Sequence, residues 1–243
     1  MDIHFINLDR RKDRLLEFEA RNGHLRLNFL RFPGIEGRGL ARNLLVDRGI
    51  ITADLAYSDG MLGCALSHFA LWDLAIEQNR SLTVAEDDAI FNSGFDPAAA
   101  SLLNSLPPDW HIVLWGWNFD SVLLFYMLPG VSPCLGVFNQ DYLRAGIDAF
   151  QTLNLRPQPF RLINAFGTVG YSISPTGALA LKQHCLPLRN KVVLVPGLKR
   201  AVVNSSIDIT LNDAYARLNA YVSFPPLIIT KNIHEGPAIP QKQ

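Results

Sequence analysis

The chain has 243 residues, of which 49% are apolar and 18% charged, enough apolar material for one large or two small domains and incompatible with a disordered or fibrous protein. Its 22 basic and 22 acidic residues cancel, which argues against a general nucleic-acid binder. The longest apolar run, residues 122–128, is far short of the roughly 20 needed to cross a bilayer, and Asp2 and Asp9 stand where a secretory signal would carry its apolar core, so a soluble, unexported, cytoplasmic protein is expected.

In chain order, residues 3–8 (IHFINL) predict a strand, and Asp9 is placed to cap a helix that runs to the Asn22-Gly23 stop. Arg10, Arg11, Lys12 and Arg14 crowd the start of that helix, where cations are disfavoured unless an anion is close. A second strand at 27–32 meets the Pro33-Gly34 turn, and a short helix is expected near 40–48. Residues 61–79 carry the clearest helical pattern, with Leu62, Leu66, Phe69, Trp72 and Ile76 on one stripe. Near its start Cys64, Ser67 and His68 share a face; a buried thiol and a hydrogen-bonded histidine are the favoured reading over a metal pair, because no other Cys/His pair has zinc spacing. The odd number of cysteines, Cys64, Cys134 and Cys185, without CxxC spacing, predicts reduced and mostly buried thiols.

Residues 81–91 (SLTVAEDDAIF) set Glu86, Asp87 and Asp88 directly after a β-prone apolar run. Carboxylates at a strand end suit a hard cation such as Mg²⁺ or Mn²⁺, in the crevice where open α/β sheets bind ligands, although by itself such a run is more often a solvated loop. Residues 111–115 predict another strand. Residues 117–164 show no sustained period and read as a variable insertion or lid within a single domain spanning 1–243. Residues 167–173 restore a strand, Ser174 and Pro175 then cap a helix to residue 184, a further helix is expected at 206–218, and 221–230 is a strand bent at Pro225-Pro226. The tail from 236 reads as loose.

Charge is unevenly distributed. Residues 149–207 contain no acid yet carry Arg156, Arg161, Lys182, Arg189, Lys191, Lys199 and Arg200. If these share a face they make an anion-attracting surface for phosphates or an acidic membrane; scattered, they are ordinary solvated bases.

The succession INLDRRKDR (6–14), RFPGIEG (31–37), GCALSHFALW (63–72), TVAEDDAIF (83–91), GTVGYSISPTGA (167–178) and the Asp208 region resembles glycosyltransferase family 25, over about half the chain. The resemblance implies a GT-A-like, Rossmann-type mixed α/β sheet flanked by helices. It also implies an inverting transfer of a hexose, galactose foremost, from a UDP-sugar to a saccharide or glycolipid acceptor such as a lipooligosaccharide core; the basic segment 149–207 adds the expectation of peripheral contact at the cytoplasmic face of the inner membrane. Asp88 matches the metal-ligating acid for a divalent ion, with His234 as a late ligand, and Asn7, Arg11, Arg14, Ser67, His68, Glu86 and Asp87 are assigned to the nucleotide sugar. Asp208, the first acid after the basic segment, is favoured as catalytic base, with Glu86, Asp87 and His68 as rivals. A metal-dependent phosphohydrolase and a non-catalytic nucleotide-sugar-binding protein are the alternatives.

Overall fold

A computed structural model describes residues 1–232 of the chain. The first part runs β1 (Asp2–Asn7), α1 (Lys12–Asn22), β2 (Asn28–Pro33), α2 (Arg42–Asp47), α3 (Asp59–Glu77), β3 (Leu82–Glu86), β4 (Ala89–Phe91), α4 (Phe95–Ser105) and β5 (Ile112–Gly116). Then come β6 (Val122–Leu128), β7 (Ser132–Val137), α5 (Gln140–Ala145), α6 (Ile147–Thr152), β8 (Gln158–Asn164), β9 (Gly170–Ile173) and α7 (Pro175–Cys185). The chain continues through β10 (Val192–Val195), β11 (Arg200–Val203), α8 (Ile207–Asn212), β12 (Ala220–Phe224) and β13 (Ile228–Thr230).

Nine strands form one sheet in the order β2-β1-β3-β9-β5-β12-β8-β6-β7. β1 pairs in parallel with β2 and β3, and β5 with β12, while β9 and β8 run antiparallel to their neighbours. The sheet is thus the mixed α/β architecture of the GT-A-like kind. Successive strand side chains point to opposite faces, so near-continuous apolar strands feed two cores. Ile3 and Phe5 of β1, Ala85 of β3, and Val113 and Trp115 of β5 pack with Phe18 of α1 and Phe95 of α4 on one face. Val84, Ile112, Leu114 and Tyr171 pack with Leu62 and Trp72 of α3 and Leu181 of α7 on the other. Each fully buried side chain of this size contributes roughly 1.5–3 kcal/mol.

Both long helices on the second face begin at serine caps. Ser58 accepts from Met61 N at 3.3 Å and Ser174 from Gly177 N at 3.0 Å, with Pro175 in the first turn as the sequence predicts. Asp9 does not cap α1: Arg11 occupies the cap position without a side-chain bond, and Asp9 pairs with Arg31 at 2.6 Å. The final helix is shorter than its periodicity suggests, stopping at Asn212 before a 3-10 turn at Tyr215–Arg217. Residues 117–164, which lack a helical or strand period, supply β6, β7 and β8 to the outer part of the sheet. The cysteines are free, as expected, but only Cys185 is fully buried.

Candidate functional site

The C-terminal ends of the adjacent parallel strands β1 and β3 put Asn7 next to the acidic run, with Ile6 opposite Glu86 in the ladder. Above them lies a cleft of about 400 Å³ lined by Arg11, Arg14, Cys64, Ser67, His68, Glu86, Asp87, Asp88, Gly167, Thr168 and Asp208. A smaller cleft of about 360 Å³ adjoins it and shares Arg11, Arg14, Asp87 and Asp88. Eight of the residues assigned to the site from sequence, with Cys64 beside them, therefore meet at one cavity. Asn7 lies beneath it, and His234 falls outside the described residues.

Two glycines set the near wall. A Cβ on Gly37 would lie 1.7 Å from the Asp59 carbonyl oxygen, and one on Gly63 would lie 2.4 Å from that of Ile35, so the 34–37 loop can touch the start of α3 only with glycine at both places. Ser67 locks the contact, accepting from Ile35 N at 2.8 Å and donating to the Gly63 carbonyl at 2.8 Å. Gly167 shapes the far wall: its φ is +82°, and its N–H donates to Asp208 Oδ2 at 2.9 Å. Asp208 Oδ1 accepts from Ile209 N at 3.0 Å and from the Ser206 hydroxyl. A carboxylate has about four lone-pair sites, so these bonds orient Asp208 and leave it room to accept another proton donor.

The three acids of the triplet differ in their surroundings. Asp87 is held from below by Asn7 Nδ2 at 2.8 Å and from the side by Arg14 Nη1 at 3.0 Å; burial nevertheless raises its pKa. Asn7 is itself fixed by Arg31 Nε, which donates to its Oδ1 at 3.0 Å. Glu86 has its pKa lowered: burial works the other way, but the facing His68 and the donating Thr168 hydroxyl outweigh it. Asp88 has the least support. Its Oδ2 accepts from Thr230 Oγ1 at 3.1 Å with Arg14 Nη2 at 3.5 Å, and its buried Oδ1 accepts no hydrogen bond among the described residues. Burial, and then the charge of Glu86, push the Asp88 pKa up to about 6.

The basic start of α1 finds its anions within the chain. Arg10 pairs with Glu36 at 2.5 Å, Arg11 with Asp13 at 2.8 Å, and Arg14 with Asp87 and Asp88. Arg14 thus serves as the counter-charge that lets two carboxylates share the rim.

Behind Glu86 lies a buried relay. Trp72 Nε1 can only donate, and it donates to the Tyr171 hydroxyl at 2.9 Å. The Tyr171 proton then has His68 Nδ1, 2.9 Å away, as its acceptor. With the Tyr171 proton directed to Nδ1, we assign the His68 proton to Nε2, the atom that faces Glu86 Oε1 at 3.7 Å.

Two donor sets for a metal can be compared on this geometry. The candidate ligand atoms of Cys64, His68 and Glu86 lie within 4.8 Å of one another. A protonated Nε2 cannot ligate, however, and burial together with the surrounding carboxylates drives the Cys64 pKa well up, so this group does not fit a soft ion. Asp88, with one buried oxygen accepting no hydrogen bond among the described residues and its charge poorly compensated, fits a hard divalent ion.

A family model described as "Glycosyltransferase family 25 (LPS biosynthesis protein)" matches residues 1–193. The chain belongs to this family. The family 25 match includes the acidic triplet and both walls up to Thr168, whereas Asp208 lies beyond it. Similar proteins named "Glycosyltransferase 25 family member" occur in Aedes aegypti, 29% identical over 47% of this chain and 21% of the relative, and in Anopheles gambiae, 31% identical over 42% and 19%. A third, from Drosophila melanogaster, is 29% identical over 42% of this chain and 18% of its own length. The chain thus matches about a fifth of the length of these relatives.

Sequence reasoning found the acids and, of their supports, Asn7, Arg14 and His68, though it assigned these to the nucleotide sugar. Arg31, Tyr171 and Thr168 were missed, and only Thr168 and Tyr171 had a signal, being part of the quoted GTVGYSI motif.

Proposed function

We propose that this family 25 chain is an inverting glycosyltransferase that moves a hexose, galactose foremost, from a UDP-sugar to a saccharide or glycolipid acceptor. The observation that carries the reading is the convergence, in one cleft, of the unpartnered Asp88 oxygen, Arg14 and a separately oriented carboxylate, Asp208. The family description as a lipopolysaccharide biosynthesis protein supports a bacterial surface saccharide such as a lipooligosaccharide core as acceptor.

An inverting transfer is a single in-line displacement at the anomeric carbon. It needs a base for the acceptor hydroxyl and charge to balance the departing diphosphate. Asp208 takes the first role: its carboxylate is held from Gly167, Ser206 and Ile209 and faces the cleft. A positioned carboxylate base contributes about 10² to 10⁴-fold. Arg14 and Arg11 line the same cleft and supply fixed positive charge near the diphosphate. Asp88 would hold Mn²⁺ or Mg²⁺, which supplies several kcal/mol of charge stabilisation to a leaving phosphate. Asp87 and Glu86 position donor hydroxyls, and Ser67 and His68 act one layer behind, through the 34–37 loop and through Glu86.

Following UDP release from a panel of UDP-sugars with Mn²⁺, with and without saccharide acceptors, tests this. Acceptor-dependent release with product formation is expected. Release equally fast without acceptor would instead indicate a phosphohydrolase, and UDP affinity without turnover a binding protein.

A further inference from the structure

β10 and β11 form a two-stranded ribbon set apart from the main sheet. Its inner side chains Val193 and Val195 pack on Ile209 of α8. Its outer side is apolar too: Val192 and Leu194 are 65% and 67% exposed, and Val203, opposite Val192 in the ladder, is 64% exposed. Ala201, opposite Leu194, completes an array of four apolar side chains facing out. Exposed strands normally carry polar residues on the solvent side, so an array of this kind marks an interaction surface. It does not stand alone. At the ribbon's turn, a Cβ on Gly197 would meet Val122, Leu135 and Leu124 at 3.2–3.5 Å, which joins it to the outer end of the main sheet, where Leu135 and Val137 are also exposed.

Charge selects the occupant. The ribbon lies in the segment 149–207, which contains no acid. Of that segment's bases, Lys182 and Lys191 pair with Asp73 and Asp213, and Arg161 binds Asn219 and stacks on Tyr221. Lys199 and Arg200, exposed at the ribbon's turn, make no ion pair among the described residues; Lys199 sits on the turn itself, whereas Arg200, opposite Val195, leaves the ladder on the inner side. Apolar side chains beside unpaired bases suit an anionic bilayer, which takes the former into its interface and attracts the latter. A second copy would present the same acid-free ribbon and bring like charges together.

We propose that the outer face of the β10–β11 ribbon, with Lys199 at its turn, docks the protein on an anionic membrane surface. Four residues separate Val203 from Asp208, so docking brings the rim of the cleft close to the lipid headgroups. That a lipid-borne acceptor is thereby delivered rests on the transfer reaction proposed above; the docking itself does not.

Co-sedimentation with vesicles of equimolar phosphatidylglycerol and phosphatidylcholine tests it, with pure phosphatidylcholine as comparison. Binding to the anionic vesicles alone, weakened by salt, is expected. Lys199→Ala should weaken it about fivefold, the worth of one base at the surface. Leu194→Ser should weaken it about tenfold, with UDP affinity and melting temperature unchanged. Should that variant lose its fold, Val203→Ser reads the same face. Wild-type protein that stays in the supernatant, or variants that sediment like wild type, would overturn the proposal. So would concentration-dependent dimers abolished by Leu194→Ser, which would assign the face to a second copy. Vesicle binding without any transfer activity would leave docking standing and remove only the proposed reaction.

Discussion

The two ends of the main sheet are built for different purposes. At the β2-β1-β3 end the strands run parallel, their C-terminal ends converge, and each acid is oriented by named partners: Asn7 and Arg14 on Asp87, His68 and Thr168 on Glu86, Gly167 on Asp208. At the β8-β6-β7 end the strands are antiparallel hairpins, and the side chains left facing outward are apolar and unpartnered. Buried charge is tolerated where partners answer it; among the described residues Asp88 Oδ1 accepts no hydrogen bond, and the cation proposed above would complete it. The described strands β6 and β7 carry no charged side chain, so their surface can change with little effect on chemistry.

The largest expected effect breaks the first half of this contrast. Asp88→Ala should lower metal-dependent transfer by about 10³-fold, the worth of several kcal/mol of leaving-group stabilisation, while leaving the fold intact by circular dichroism. Unchanged metal-dependent rates would remove Asp88 from the site. Asp208→Asn should lower kcat by about 10² to 10⁴-fold and leave UDP-sugar affinity, read by calorimetry, close to wild type. Full activity in that variant, with Glu86→Gln inactive, would move the base to Glu86.

How much of this was legible in the sequence depended on distance along the chain. The acids, the Ser174 cap and the amphipathic α3 are local patterns, and they were read where they stand, whereas the Ser58 cap of α3 was not. The supports are long-range: Arg31 reaches Asn7 across 24 residues, Asn7 reaches Asp87 across 80, and Tyr171 reaches His68 across 103. No periodicity encodes such meetings. β6 to β8 were lost for another reason: an outer hairpin with apolar residues on both faces lacks the alternation that announces a strand. Likewise α4, with Pro97 in its first turn and glycine at its cap, begins without the side-chain cap that signals a helix.

Acidity offers a graded test of the same half. A carboxylate whose pKa is raised to about 6 binds cations only once ionised, so Mn²⁺ affinity should be full above that pH. Below about pH 6 it should fall by up to about tenfold per pH unit, measured by titration calorimetry or Mn²⁺ relaxation. For the metal-free protein the sign of the stability effect is opposite to that of a salt-bridged acid. The folded-state pKa lies above the ordinary 3.8, so ionising Asp88 costs stability as pH rises from 3.8 to about 6, and the cost is constant above that. Affinity that is flat from pH 5 to pH 7 would show that Asp88 is not the ligand.

Tyr171→Phe probes the buried relay. It leaves Trp72 Nε1 without an acceptor and His68 Nδ1 without a donor, so a stability loss of about 1–3 kcal/mol is expected in urea denaturation. The ¹⁵N spectrum of His68 should show its proton on Nε2 in wild type and a mixed tautomer in the variant. An Nδ1–H signal in wild type would reverse the relay and reopen Cys64, His68 and Glu86 as a ligand set.

The smallest effect belongs to the outer half, and its smallness is the point. Leu194 makes its inward neighbours' contacts unnecessary to itself: Val193 and Val195 anchor the ribbon on Ile209, while the Leu194 side chain stands in solvent. Replacing it by serine removes no buried contact and adds no buried hydroxyl, so stability should stay within about 0.5 kcal/mol of wild type. Val193→Ser, one residue away and 2% exposed, removes buried apolar area and buries a hydroxyl, and should cost about 1–3 kcal/mol by the same denaturation measurement. Equal costs at the two positions would mean that the outer face is covered within the protein, and the contrast between an interlocked site and an open docking face would fail.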